Sequence, residues 1–325
     1  MLRLTNDWIW DFWLADDGRN FHLYFLKAPR ALGDPDLRHW NVRIGHAVSP
    51  DLQSWTEAED ALAPSAAPAF DDMGTWTGSI VQGDDGTWFM FYTGTGSAER
   101  GLKQRVGFAR SNDLTAWVKH PSAVLESDPR WYERLPAVQW PDEAWRDPWV
   151  LRDPGGDGWH MLITARANDG WGDERGVIGH ARSHDLVHWE AEAPLSCADA
   201  GFGHLEVPQI EVVEGRAVLL FSCLSGELSR ARRAHGVHGG IWAVPVDELL
   251  GPYDINRAVQ VTDESLYSGR LVRDRGGRWI MLAFRNTDGD GRFVGEITNP
   301  MPVTWADDGT RLVLAPKPAR EIQVS

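Results

Sequence analysis

GHAVSPDLQSW (residues 45–55), GFARSNDLTAW (107–117) and GHARSHDLVHW (179–189) are three copies of one pattern, Gly-x-Ala-x-Ser-x-Asp-Leu-x-x-Trp. In each, a strand leads into a turn at Ser-x-Asp, where short polar side chains bond to nearby backbone. Leu and Trp then return to the core. A second repeated element is interleaved with the first: WDFWLADDGRNFHLYFL, WTGSIVQGDDGTWFMFY, WRDPWVLRDPGGDGWHMLI, LEVPQIEVVEGRAVLLFS and YSGRLVRDRGGRWIMLAF. Each copy reads as a short strand, an Asp/Gly or Glu/Gly turn, and an alternating aromatic or aliphatic strand, which is a hairpin. The copies begin at residues 10, 76, 145, 205 and 267, and such a period is that of a radial repeat.

Helical periodicity is nearly absent, VDELLGPYD (246–254) being the best short candidate. Five four-stranded units predict an all-β chain folded as a five-bladed β-propeller. A β-sandwich array would not explain five equivalent hairpins. No Pro/Gly/Ser linker or compositional break divides residues 1–325, so a single domain is expected.

With 42% hydrophobic and 24% charged residues the composition is that of a soluble globular protein. A formal net charge of −15 argues against nucleic-acid binding, which draws on basic surface. No apolar run is long enough to span a bilayer, so no membrane partner is expected. The opening MLRLTNDWIWDFWLADD lacks the layout of a secretory signal. Cys197 and Cys223 form neither a disulfide framework nor a metal-ligand spacing, and reduced thiols in the cytoplasm are the expectation. No metal and no cofactor are expected, and the oligomeric state is left open. Eighteen tryptophans against five tyrosines are the compositional outlier. Indoles fill β-rich cores, and they also stack on the apolar faces of sugar rings, so a small carbohydrate is the expected ligand.

The first strand of each propeller blade is an edge strand lining the central channel, the setting in which a strand tolerates proline. Asp147 in WRDPWV, Glu206 in LEVPQI and Asp11 in WDFW fall at or beside the start of such strands, in blades 3, 4 and 1. They are read as occupying one shared position of the repeat. WTGS (76–79) and YSGR (267–270) place uncharged polar residues there in blades 2 and 5. Asp16, Asp17, Asp84, Asp85 and Asp274 lie in the hairpin turns and read as solvated turn acids. Converging carboxylates separate into protonated and ionised members, which is what glycoside hydrolysis needs. A cation site in the channel is the structural alternative.

The three acid motifs, WTGS and the Gly-x-Ala-x-Ser-x-Asp-Leu-x-x-Trp copies together resemble the invertase and levansucrase clan, glycoside hydrolase families 32 and 68. WDFWL resembles the levansucrase side, GHAVSPDLQSW and MFYTG the invertase side, and RDP is common to both. EVP stands where those families carry Glu-Cys-Pro or Glu-Arg-Pro. The invertase signature Asn-Asp-Pro-Asn-Gly is missing, and TND (5–7) is a partial echo lying too far from the hairpin, so Asp11 rather than Asp7 is aligned with the nucleophile. The chain ends near its fifth blade, so the C-terminal β-sandwich of family 32 is not expected.

The resemblance implies a retaining β-fructofuranosidase: Asp11 the nucleophile, Glu206 the acid/base, and Asp147 the carboxylate that grips ring hydroxyls. Arg146 is expected to keep Asp147 ionised and oriented. Trp10, Trp13, Trp76, Ser79, Trp149 and His204 are the remaining candidates for the substrate pocket. The rival readings are an inverting family 43-like arabinofuranosidase or xylosidase, and a catalytically silent sugar-binding propeller.

Overall fold

The computed structural model describes residues 1–315. The described strands form five antiparallel sheets in chain order, arranged as the blades of a propeller. Their innermost strands are Asp7–Asp16, Gly74–Gln82, Trp145–Arg152, Glu206–Val213 and Leu266–Arg273 in blades 1 to 5. Blade 5 departs from the four-stranded plan. Its third strand is split into Phe293–Ile297 and Met301–Trp305, both paired with Trp279–Thr287. The split falls at Thr298–Pro300, where proline has no N–H to donate. The ring is closed by Leu2, whose N–H and C=O pair with Ile297 of blade 5.

The best short helix candidate, 246–254, is not helical; it contains Gly251 and Pro252, and Asp254 caps a single 3-10 turn at Ile255–Arg257. The one α-helix among the described residues is Arg230–Ala234.

The long repeat is the third strand of blades 1 to 3 plus its turn. Asp51, Asp113 and Asp185 each accept two following backbone N–H groups at 2.7–2.9 Å. Leu52, Leu114 and Leu186 adopt φ of 63, 62 and 64° and are buried. The repeat's tryptophan then packs against the preceding blade: Trp117 meets Tyr24 edge-on at 5.7 Å, and Trp189 meets Phe91 at 5.3 Å. The leading glycine is required by close approach, since a Cβ at Gly45 or Gly107 would fall 2.4 or 2.2 Å from a phenylalanine ring. The apolar core is accordingly a ring of clusters lying between neighbouring blades.

All five inner strands carry a β-bulge at the same place. Pairing is interrupted after Trp10, Trp76, Arg146, Glu206 and Tyr267. The residues that follow in blades 3, 4 and 5, Asp147, Val207 and Ser268, have φ of 58, 54 and 49°, a left-handed region that is strained for a β-branched valine. A bulge re-aims side chains. In blades 1, 2 and 3 both residues at the break reach one cavity, in blade 5 Tyr267 and Ser268 bond Glu206 and Asp11, and in blade 4 Glu206 alone lines the cavity. The bulge register also corrects the sequence alignment. Asp11 and Asp147 share a column with Thr77, Val207 and Ser268, whereas Glu206 lies one residue earlier, in the column of Trp10, Trp76, Arg146 and Tyr267.

Candidate active site

A cavity of about 200 Å³ opens at the bulged end of the channel, lined by Trp10, Asp11, Leu26, His39, Trp76, Thr77, Asp142, Arg146, Asp147 and Glu206. The three acids meet here, each with a different set of partners. Asp11 is held by neutral hydroxyls: Thr77 Oγ1 donates to Oδ2 at 2.7 Å and Ser268 Oγ to Oδ1 at 2.5 Å. Burial raises its carboxyl above the ordinary value, and those two hydrogen bonds pull against the rise. Asp147 accepts through Oδ2 from Thr164 Oγ1 at 2.9 Å and from the Val207 N–H at 3.2 Å. Burial pushes it up to about 7, against the opposing pull of Arg146. Glu206 accepts from Arg146 Nη2 and from the Tyr267 hydroxyl, both at 2.5 Å. Burial drives Tyr267 well above the ordinary phenol value, so its hydroxyl keeps its proton.

Arg146 therefore does not serve Asp147 first, as the sequence suggests. Its short contact is with Glu206, while its Nε lies 3.6 Å from Asp147 and its Nη1 3.7 Å from Asp142. Burial works against the cation, and Glu206, Asp142 and Asp147 outweigh that, holding it above the ordinary guanidinium value. Arg146 Nη2 also donates to His204 Nδ1 at 3.1 Å. Burial, then Arg146, lowers His204 to about 3, so its imidazole is neutral and carries its proton on Nε2. Ligand atoms of His204, Glu206 and Glu227 lie within 4.8 Å of one another. The guanidinium already supplies positive charge between the first two, which favours an internal ion pair over a channel cation.

Of the other expected pocket residues, Trp10 and Trp76 line the cavity, and Trp76 Nε1 donates to the His39 carbonyl at 3.1 Å. His204 stands behind Arg146. Three expectations are overturned. Trp13 is fully buried and stacks on Tyr24 at 6.3 Å within blade 1. Ser79 is buried and accepts the Val150 N–H at 3.1 Å, joining blades 2 and 3. Trp149 covers the guanidinium of Arg270 at 5.1 Å and faces a separate cavity that omits all three acids. Each lies two residues beyond the bulge, farther along the channel. Asp7 pairs with Pro29 at the start of its strand and is not among the cavity residues.

Sequence reasoning did not single out Thr77, Ser268, Tyr267, His39 or Asp142 as individual site residues. Thr77, Ser268 and Tyr267 sit in the bulge columns, so a register-aware reading of WTGS and YSGR finds them. His39 and Asp142 come from connections between strands and leave no local signal.

The model of the glycosyl hydrolases family 32 N-terminal domain matches residues 14–316. The chain belongs to this family. Among its family 32 relatives, an insoluble β-fructofuranosidase isoenzyme of Arabidopsis thaliana is 31% identical over 198 residues, 58% of this chain and 32% of that protein. A fructan 6-exohydrolase of Triticum aestivum is 29% identical over 203 residues, 58% of this chain and 30% of that protein. The chain spans about a third of the length of these curated relatives. Among solved structures, an inulosucrase from Halalkalicoccus jeotgali bound to kestose superposes with a TM-score of 0.79 at 21% identity, covering 97% of this chain and 90% of that one. A Bombyx mori family 32 β-fructofuranosidase gives 0.70 at 20% identity, covering 97% and 64%. These likenesses establish the propeller fold. The family match begins three residues after Asp11 and does not cover it.

Proposed function

We propose that the chain is a retaining β-fructofuranosidase acting on sucrose or short fructo-oligosaccharides through a covalent fructosyl-enzyme. The observation that carries this reading is the unequal partnering of three carboxyls around one cavity on the scale of a single sugar ring. Asp11 has both oxygens oriented and, among the described residues, no cation in contact, the setting of a nucleophile that must share an electron pair with the anomeric carbon. Glu206 meets a phenol able to donate to its carboxylate or accept from its acid form, which suits a group that protonates the leaving oxygen and then deprotonates water. Asp147 uses one oxygen within the protein and leaves Oδ1 for ring hydroxyls, adding negative charge beside the oxocarbenium-like transition state.

Trp10 and Trp76 supply apolar wall. The relatives named as β-fructofuranosidases and fructan exohydrolases support the substrate class.

The test is product release from sucrose, a fructo-oligosaccharide and nitrophenyl pentosides. Fructose from the first two supports the proposal. Activity confined to arabinosides or xylosides, or no sugar release from any, overturns it.

A further inference from the structure

Arg270 lies in blade 5, two residues past Ser268 on the same inner strand, and is 1% exposed. Its Nε donates to the Phe12 carbonyl at 3.1 Å, and its Nη1 to the carbonyls of Val207 at 3.2 Å and Pro208 at 2.9 Å. Phe12 follows Asp11 in the chain, and Val207 follows Glu206. One planar guanidinium thus joins the bulges that carry two of the three acids, across the channel and from a third blade. Its Nη2 is buried without a partner among the described residues, and no carboxylate among them lies within ion-pair distance. Arg146, Arg166 and Arg175, the other deeply buried arginines, each pair with a glutamate. Burying a charge without a counter-ion is costly, so the position is unusual for a residue that only fills space.

We propose that Arg270 is a positioning residue of the fructofuranosidase reaction, whose three donated hydrogen bonds set the spacing between Asp11 and Glu206. This rests on the function proposed above. Burial lowers Arg270 to about 10, with Asp147 and Asp11 pulling against the fall, so it is a cation at neutral pH. Its charge favours the ionised form of Asp11. The other groups that act on Asp11 are Glu206 and Asp147, which oppose ionisation, Arg38, which favours it, and the hydroxyls of Thr77 and Ser268. Trp149 lies over the guanidinium at 5.1 Å, and the two residues together line the other cavity.

Arginine's planar fork, and not charge alone, is what joins three carbonyls, so lysine is no equivalent here. Arg270→Lys and Arg270→Met separate the two effects. In Arg270→Lys, kcat should fall roughly a hundredfold, the scale of a small misplacement of reacting groups, with KM little changed and the acid limb of the pH profile kept. In Arg270→Met, the same loss should come with an acid limb moved to higher pH. A merely structural residue would lower the melting temperature and leave kcat per folded molecule and the limb as they are, and that result overturns the proposal. If both variants fail to fold, Trp149→Phe, which thins the cover of Arg270 while keeping an aromatic ring against the neighbouring apolar cluster, should give a smaller kcat loss at unchanged KM. Wild-type kinetics in that variant would then overturn the proposal. A wild-type protein inert on every fructoside would remove the function itself, and this inference with it, which separates that failure from a wild type that is active and indifferent to position 270.

Discussion

Ser268→Ala is the sharpest perturbation of Asp11 that the geometry offers. The carboxylate takes one hydroxyl on each oxygen, Ser268 and Thr77, and no cation among the described residues lies in direct contact. A hydrogen bond to a charged group is worth ~1.5–3 kcal/mol, and one pKa unit is about 1.36 kcal/mol. Losing Ser268 Oγ should therefore raise Asp11 by about one to two units. The sign follows from which form is bonded: the hydroxyl stabilises the anion, burial already favours the acid, and removing the hydroxyl leaves burial less opposed. The acid limb of kcat/KM reports the free enzyme, so it should move to higher pH by that amount. Below the limb the variant should be about 10- to 100-fold slower; on the plateau it should approach wild type. Ser268 already adopts φ 49°, so alanine adds little strain and the fold should survive. The assay is initial rate on sucrose across the pH range, with melting temperature as the control for folding. A limb that stays in place while the rate drops uniformly would refute the argument. Thr77→Val, nearly equal in volume, should shift the limb in the same direction.

Asp11→Asn should fold normally and lose at least about three orders of magnitude in turnover, while Asp7→Asn should be mild; fructose release by the two variants decides between them. Glu206→Ala should hurt natural fructosides more than substrates with activated leaving groups, and equal losses on both would remove it from the acid role. The buried imidazoles set an acid limit on stability. Burial lowers His46 and His180 to about 4 from the ordinary 6.5, so between those values the unfolded chain binds more protons and stability falls as pH drops. Replacing His22 and His46 together by Phe, the residues at the matching positions of blade 2 (Phe89 and Phe108), should flatten the dependence of melting temperature on pH in that window.

What could be read from the chain divides along the line between local and register-dependent structure. The three Ser-x-Asp-Leu turns and the five Asp/Gly or Glu/Gly hairpins are written in contiguous residues, so the radial repeat is legible in the chain. That Asp11, Asp147 and Glu206 converge on one cavity is legible because each falls at or beside the start of an inner strand. Trp13, Ser79 and Trp149 lie outside the acid cavity because the bulge resets the register beyond it, which their place in the acid motifs does not reveal. Arg146 was assigned to its sequence neighbour Asp147, yet its 2.5 Å contact is with Glu206, sixty residues away. Ser268 reaches Asp11 across 257 residues through closure of the ring, a contact that no local pattern encodes.

The most direct test of the account is to trap the covalent intermediate. Enzyme turning over an activated β-D-fructofuranoside is quenched in acid, digested, and its peptides are read by mass spectrometry. The account predicts a fructosyl ester on Asp11. An ester on Asp147 or Glu206, or no ester together with the α-anomer as first product, would contradict it.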